Sequence, residues 1–155
     1  MKQYDVVIVG AGAAGLMCAI EAGKRGRKVW LIDHSKKIGE KIRISGGGRC
    51  NFTNIHAAPN AYLSQNPHFC KSALSQYTQQ DFIEMVEKHR IKYHEKKLGQ
   101  LFCDVTAQDI IDMLLKECEE ARVHISKDTA VEDITKDSEK YVLTTTQGMV
   151  KAESL

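Results

Sequence analysis

This chain has no long apolar run, no C-x-x-C pair, no internal repeat, no low-complexity stretch and no large excess of charge of either sign. Each absence excludes something. The most apolar stretch lies in the first twenty residues, but Asp5 and Glu21 bracket it and Gly10, Gly12 and Gly15 interrupt it. It is too short and too broken to span a bilayer. Asp5 also argues against a secretory leader, and Met17 before Cys18 against a lipoprotein cleavage site. The five cysteines are odd in number and lack metal-ligand spacing, which predicts reduced thiols in a cytoplasmic protein and no metal site. Lys plus Arg number 22 against 20 Asp plus Glu, a net charge of +2. So small a balance points away from nucleic acid as a partner, although it leaves room for a local basic patch.

What is present reads as one folded domain, residues 1–155. Hydrophobic residues make up 43% and charged residues 27%, a globular composition. Residues 4–9, YDVVIV, form a β-branched run of the kind buried on both faces of a sheet. The run feeds Gly10-Ala11-Gly12-Ala13-Ala14-Gly15 and then an Ala- and Leu-rich helix that Gly26 can end in a left-handed conformation. A second apolar strand, KVWLID, closes with Asp33. Strand, glycine turn, helix, strand and acid make up the dinucleotide-binding context. Gly10 permits the tight turn, Gly12 lets a pyrophosphate approach the backbone, and Gly15 lets the helix press on the strand. The free N–H groups at Ala13 and Ala14 face the phosphates at the positive end of the helix dipole. Asp33 can accept hydrogen bonds from an adenosine ribose and repels a 2′-phosphate. The motif alone does not separate FAD from NAD.

A second glycine cluster follows. Gly46, Gly47 and Gly48 stand in a row, flanked by Ser45, Arg49, Asn51, Thr53 and Asn54, with Lys36, Lys37, Lys41 and Arg43 upstream. Three glycines permit backbone angles that can lie flat on a planar ligand. Composition leaves two readings open: a second polar wall around a cofactor, or an exposed basic loop.

The strings GAGAAG and ISGGGRCNFTN together resemble bacterial flavoproteins of the aminoacetone-oxidase-like (BaiN/RdsA) type. The resemblance runs along the whole chain but is specific over its first third. It implies an α/β Rossmann-like FAD-binding domain of the glutathione-reductase type: a central parallel sheet, helices on both faces and a small antiparallel β-meander. It further implies that Gly10, Gly12, Ala13, Ala14 and Gly15 cradle the FAD pyrophosphate and that Asp33 takes the ribose, with His34 and Lys41 nearby. Ser45, Gly46, Gly47, Gly48, Arg49, Cys50 and Asn51 would run along the flavin side, and the backbone at Val131 would touch the adenine. Where relatives often read G-R-x-F-P, this chain has Gly99-Gln100-Leu101-Phe102-Cys103, so no role of that Arg transfers. Relatives of this type are much longer and continue into an Ala-Thr-Gly strand and a substrate domain. The chain therefore reads as the N-terminal part of a flavin-dependent oxidoreductase, inactive by itself.

The remaining elements follow from local signals. Asn66-Pro67 predicts a helix to about residue 77, Thr78 caps a helix to His89, and Gly99 turns a hairpin within residues 91–102. Thr106 opens an amphipathic helix with Ile110, Ile111, Leu114, Leu115 and Cys118 inward and Glu117 outward. Residues 123–125 read as a parallel strand, and residues 129–134, 141–146 and 149–154 as a meander. Cys18, Cys118 and Trp30 are expected in the core and Cys50 as a buried structural thiol. His56, His68, His89, His94 and His124 are expected at the surface or in turns. The expected partners are a small-molecule substrate or an electron donor or acceptor, with no membrane and no nucleic acid. The competing reading is an NAD-binding module of a dehydrogenase or of a non-enzymatic redox sensor. No catalytic residue can be named.

Overall fold

The computed structural model describes residues 1–155, which form two compact units, Met1–Lys41 with Leu114–Leu155, and Ile42–Met113. The first unit is built on a six-stranded sheet. Its strands are β1 (Lys2–Val9), β2 (Val29–Ile32), β6 (His124–Ser126), β7 (Val131–Asp137), β8 (Lys140–Thr145) and β9 (Gly148–Ser154), in the order β6-β2-β1-β9-β8-β7. β6, β2, β1 and β9 run parallel, and β9, β8 and β7 form the antiparallel meander. β9 thus belongs to both halves, pairing Ala152 with Tyr4 on one side and Tyr141 on the other. All four residues of β2 are buried, as an unbroken apolar run in a covered strand requires.

Helix α1 (Ala13–Lys24) follows β1 and buries Leu16, Ala19 and Ile20. Full burial of Leu16 or Ile20 stabilises by about 1.5–3 kcal/mol each. The helix ends as its sequence predicts. Gly26 adopts φ +74°, its amide donates to Gly23 O at 2.8 Å, and the Arg27 amide donates to Ala22 O at 3.2 Å. Cys18, expected in the core, is instead exposed. The buried stripe runs through Leu16, Ala19 and Ile20, and position 18 falls outside it.

Helix α5 (Gln108–Glu120) runs from the second unit into the first. Beyond its end, Ala121 lies so close to α1 that a Cβ on Gly23 would stand 2.5 Å from Ala121 O. That approach turns Glu117 inward. It is 1% exposed and pairs with Lys24 Nζ at 3.0 Å, contrary to its expected outward position. Leu115 is only half-buried, and Met113 takes a core place that periodicity did not assign it.

Tyr4, Val7, Trp30, Ile32, Leu143, Val150 and Ala152 form one buried cluster, joined by Val131 and Tyr141. Meander residues thus pack with side chains of β1 and β2. Tyr4 stacks on Trp30 at 5.4 Å, and Trp30 Nε1 donates to Ser126 Oγ at 2.9 Å. His124 is exposed, as expected, and lies on β6 with its ring 6.3 Å from that of Trp30.

The second unit holds a three-stranded antiparallel sheet, β3-β5-β4, made by β3 (Asn51–Asn54), β4 (Tyr93–Glu95) and β5 (Gln100–Cys103). The expected hairpin is β4–β5; the third strand, β3, was not anticipated. Short α2 (Glu40–Ile44) leads into the unit, and α3 (Lys71–Gln76) and α4 (Gln79–Lys88) follow β3. α4 starts at a capping box: Thr78 Oγ1 accepts from the Asp81 amide, and the Asp81 side chain accepts from the Thr78 amide at 2.6 Å. The helix predicted from Asn66 begins only at Lys71. Asn66 Oδ1 accepts from the His68 amide at 3.0 Å, a local turn that competes with helix. Phe52 on β3 meets Phe82 of α4 at 6.0 Å and Tyr93 edge-on at 5.5 Å.

Candidate functional site

In the first unit the structure gathers Gly10, Gly12, Ala13, Ala14, Gly15 and Asp33 around the β1–α1 turn. Gly10 has φ +104°, and its amide donates to Ile32 O at 2.7 Å. A left-handed turn of this kind admits only glycine without strain. A Cβ on Gly15 would stand 1.8 Å from Gly10 O, so helix and turn are in direct contact there. A Cβ on Gly12 would meet nothing within 4 Å. Gly12 is the N-cap of α1; no side chain caps it and no acidic residue occupies the first turn. The helix start therefore presents bare amides and a positive dipole end beside open space, a ready anion site.

Asp33 does more than sequence assigned to it. Its Oδ2 accepts from the Ala11 amide at 2.7 Å and its Oδ1 from the Ser35 amide at 2.7 Å. It therefore braces the glycine turn. Each oxygen retains a second acceptor direction, so a ribose hydroxyl can still be bound. Burial disfavours the charged form of Asp33, but the Ser35 and Ala11 amides outweigh it and hold the carboxyl below its ordinary value. The Gly39 amide also donates to Ala11 O, at 3.0 Å, so both polar groups of the Ala11 backbone are anchored. Sequence reasoning passed over Ala11, Ser35 and Gly39; only the position of Ala11 inside the motif pointed to it. His34 is exposed, with Nδ1 3.6 Å from Asp33 Oδ1. Lys41 is exposed on α2, and Val131 is half-buried against the core cluster.

In the second unit Ser45, Gly46, Gly47, Gly48, Arg49, Cys50 and Asn51 form a turn of their own. Gly46, Gly47 and Gly48 have φ +57°, +66° and +88°, and Cys50 has +51°. A Cβ on Gly46 would lie 2.7 Å from both the Asn51 amide nitrogen and Phe102 Cε1, whereas Gly47 and Gly48 face open space. The backbone is clamped at several points. Gly48 O accepts from the Ala107 amide at 2.7 Å, Arg49 O from the Cys103 amide at 2.9 Å, and Ser45 O from the Cys50 amide at 3.1 Å. Ser45 Oγ donates to Ile42 O at 2.8 Å. The turn is thus held by backbone hydrogen bonds, with Gly46, Gly47 and Arg49 exposed. Asn51 opens β3 opposite Phe102.

Cys50 is buried, as expected. Desolvation raises its thiol, only partly offset by a hydrogen bond with Ser45. Burial, with smaller contributions from Cys50, Asp109 and Asp104, pushes Cys103 up to about 12. At neutral pH both thiols stay protonated, which disfavours a thiolate nucleophile in this turn.

Comparison with known proteins follows the same lines. The family described as HI0933-like protein Rossmann domain matches residues 4–155. The ribosomal RNA dihydrouridine synthase of Escherichia coli (strain K12) is 57% identical over 143 residues, covering 92% of this chain and 36% of that protein. The protein of the same name from Haemophilus influenzae is 52% identical over 148 residues, covering 92% of this chain and 37% of its own length. The chain thus spans about a third of these relatives. Among solved structures, the 3-ketosteroid-delta4-(5alpha)-dehydrogenase of Rhodococcus jostii RHA1 superposes with a TM-score of 0.67 at 13% identity, over 99% of this chain and 44% of that one. At that identity the likeness is one of fold, and it agrees with the Rossmann-like architecture described above. No helix is long and apolar enough to cross a membrane.

Proposed function

The chain belongs to the HI0933-like protein Rossmann family, and from that premise we propose that it is the FAD-binding part of a flavin-dependent oxidoreductase. One observation carries the reading: the β1–α1 turn is closed at Gly15 and open at Gly12, with uncapped amides at the helix start. These residues fit a dinucleotide pyrophosphate in both shape and charge. Gly10, Gly12, Ala13, Ala14 and Gly15 would hold it through their backbone. Asp33 would brace the turn and accept from the ribose, with His34 and Lys41 at its margin and the Val131 backbone toward the adenine. Ser45, Gly46, Gly47, Gly48, Arg49, Cys50 and Asn51 are assigned to the flavin side by family resemblance, which the open faces of Gly47 and Gly48 support. FAD, when bound, supplies the redox chemistry; the chain supplies position and local electrostatics.

The substrate class is drawn from the relatives. Two proteins above 50% identity are named ribosomal RNA dihydrouridine synthases. A dihydro product carries two more hydrogens than its parent, so its formation is a two-electron reduction, which a flavin can supply once an external electron donor has reduced it. RNA is therefore the substrate class proposed here, in place of the expected small molecule and against the overall charge, which pointed away from nucleic acid. Total charge describes the whole surface and is silent about one face of it.

Mixing the purified chain with FAD tests the cofactor assignment. Uptake should give an absorbance band near ~450 nm, as flavins do, and a rise in Tm that grows with FAD concentration. A chain that stays colourless and gains stability only from NAD would establish the NAD-binding alternative instead.

A further inference from the structure

The near-neutral total conceals one strongly basic segment. Between α4 and the β4–β5 turn stand Arg90, Lys92, Lys96 and Lys97, with Glu95 the only carboxylate among them. All four cations are exposed. The neighbouring carboxylates make hydrogen bonds of their own within the hairpin. Glu87 accepts from Tyr93 Oη at 2.7 Å, Glu95 accepts from the Gly99 amide at 3.0 Å, and Asp104 meets His94 Nδ1 at 2.7 Å. Lys96 Nζ lies over the Phe102 ring at 5.2 Å. Arg90, Lys92 and Lys97 have no carboxylate partner. Arg90, Lys92, Lys96 and Lys97 outnumber Glu87, Glu95 and Asp104 by one, and the cations of the hairpin are not held in ion pairs.

Strand geometry arranges that charge. Asp104 N donates to Lys92 O at 2.9 Å, which extends the β4–β5 ladder back to Lys92. Lys92, His94 and Lys96 alternate along the strand and so share one face. His94 pairs with Phe102 in register, with the rings 6.4 Å apart on that face. Lys92 and Lys96 lie about 13 Å apart along the strand, roughly twice the spacing of successive phosphates in an extended single strand, with His94 and its partner Asp104 between them. Exposed lysines without ion-pair partners are the electrostatic footprint that a phosphate backbone requires.

We propose that the β4–β5 hairpin is a phosphate-contacting face for single-stranded RNA, with Lys92, Lys96 and Lys97 as its principal contacts. The proposal rests on the reading of RNA as the substrate class. Fluorescence anisotropy of a fluorescein-labelled oligouridylate, titrated with the whole chain at several salt concentrations, tests it. The test variant is Lys92→Gln/Lys96→Gln/Lys97→Gln. The control is Lys2→Gln/Lys116→Gln/Lys127→Gln, which removes the same charge from exposed sites elsewhere. Each lost phosphate contact should reduce the slope of log K against log salt by about 0.7. The test variant should lose about two units of slope and bind about ten- to a hundredfold more weakly at ~0.1 M salt, while the control stays near wild type. A rise in Tm with FAD equal to that of wild type shows that the variant is folded. Lys97→Glu alone, a surface change in the turn, should weaken binding in the same direction. Wild-type affinity and slope in the test variant would overturn the face and leave the RNA reading standing. No oligouridylate binding by the wild-type chain would overturn both. Binding to phosphatidylglycerol vesicles, lost in the test variant and unaccompanied by RNA binding, would assign the face to a membrane and overturn the proposal.

Discussion

Asp33 holds Ala11: the carboxylate that closes β2 accepts from the amide in the middle of the glycine turn at 2.7 Å. The residue expected to face a ribose is therefore also a structural brace for the pyrophosphate turn. Its effect depends on pH in a defined direction. The folded pKa is depressed, so the stabilisation is fully present above the unfolded carboxyl value of about 3.9 and is lost as pH falls through the lower folded value. Melting curves between neutral pH and the acid limit should show Asp33→Asn less acid-sensitive than wild type across that window. Asp33→Ala should cost about 1–2 kcal/mol at neutral pH. Identical acid profiles for wild type and Asp33→Asn would remove the brace from the account.

Two glycines in one motif should fail in different ways. Gly12→Val places its side chain where nothing lies within 4 Å, so far-UV circular dichroism should stay native while FAD binding disappears. Gly15→Ala sets a Cβ 1.8 Å from Gly10 O, and the chain should lose about 3 kcal/mol or more, or fail to fold. Retained FAD affinity in Gly12→Val would place the cofactor elsewhere.

Thiol chemistry should divide the cysteines two against three. Cys18 is exposed and Cys70 partly so, whereas Cys50, Cys103 and Cys118 are buried. Burial pushes Cys118 up to about 11, with Glu117 adding to it. Ellman's reagent at mildly alkaline pH should titrate two thiols rapidly and the other three only after denaturation. Rapid modification of Cys50 in the native protein would contradict the closed turn.

The Lys24–Glu117 pair should be asymmetric under substitution. Lys24→Met removes the cation 3.0 Å from a carboxylate that is 1% exposed, while the lysine itself is 47% exposed. The expected loss is about 2 kcal/mol, below the ~3–5 for breaking a fully buried pair. The double variant Lys24→Met/Glu117→Leu should recover most of it, as urea melts of the three proteins would reveal.

Sequence alone made the local features readable. The glycine turn, the Gly26 helix stop, the Thr78 cap and the Gly99 hairpin each depend on a few adjacent residues, and each stands where local chemistry puts it. The misses are nonlocal. Glu117 reads as solvent-facing until Gly23 brings α1 against the end of α5. β3 has no strong strand signal in NFTN, and it exists because β5 offers an edge at Leu101 and Phe102. The brace on Ala11 joins residues 22 positions apart, so the motif names the turn without naming what stiffens it. The basic hairpin was lost in a whole-chain sum in which acids elsewhere cancel it.

Ala152 sits between Tyr4 and Tyr141, one strand serving two seams of opposite sense. Peeling that strand away would strip β1 of a flank and the meander of its anchor in the same event. Amide protons of β8 and of the first half of β1 should accordingly exchange with deuterium as one cooperative block. Opening of β9 is thereby wired to the very strand that delivers the chain into its phosphate turn.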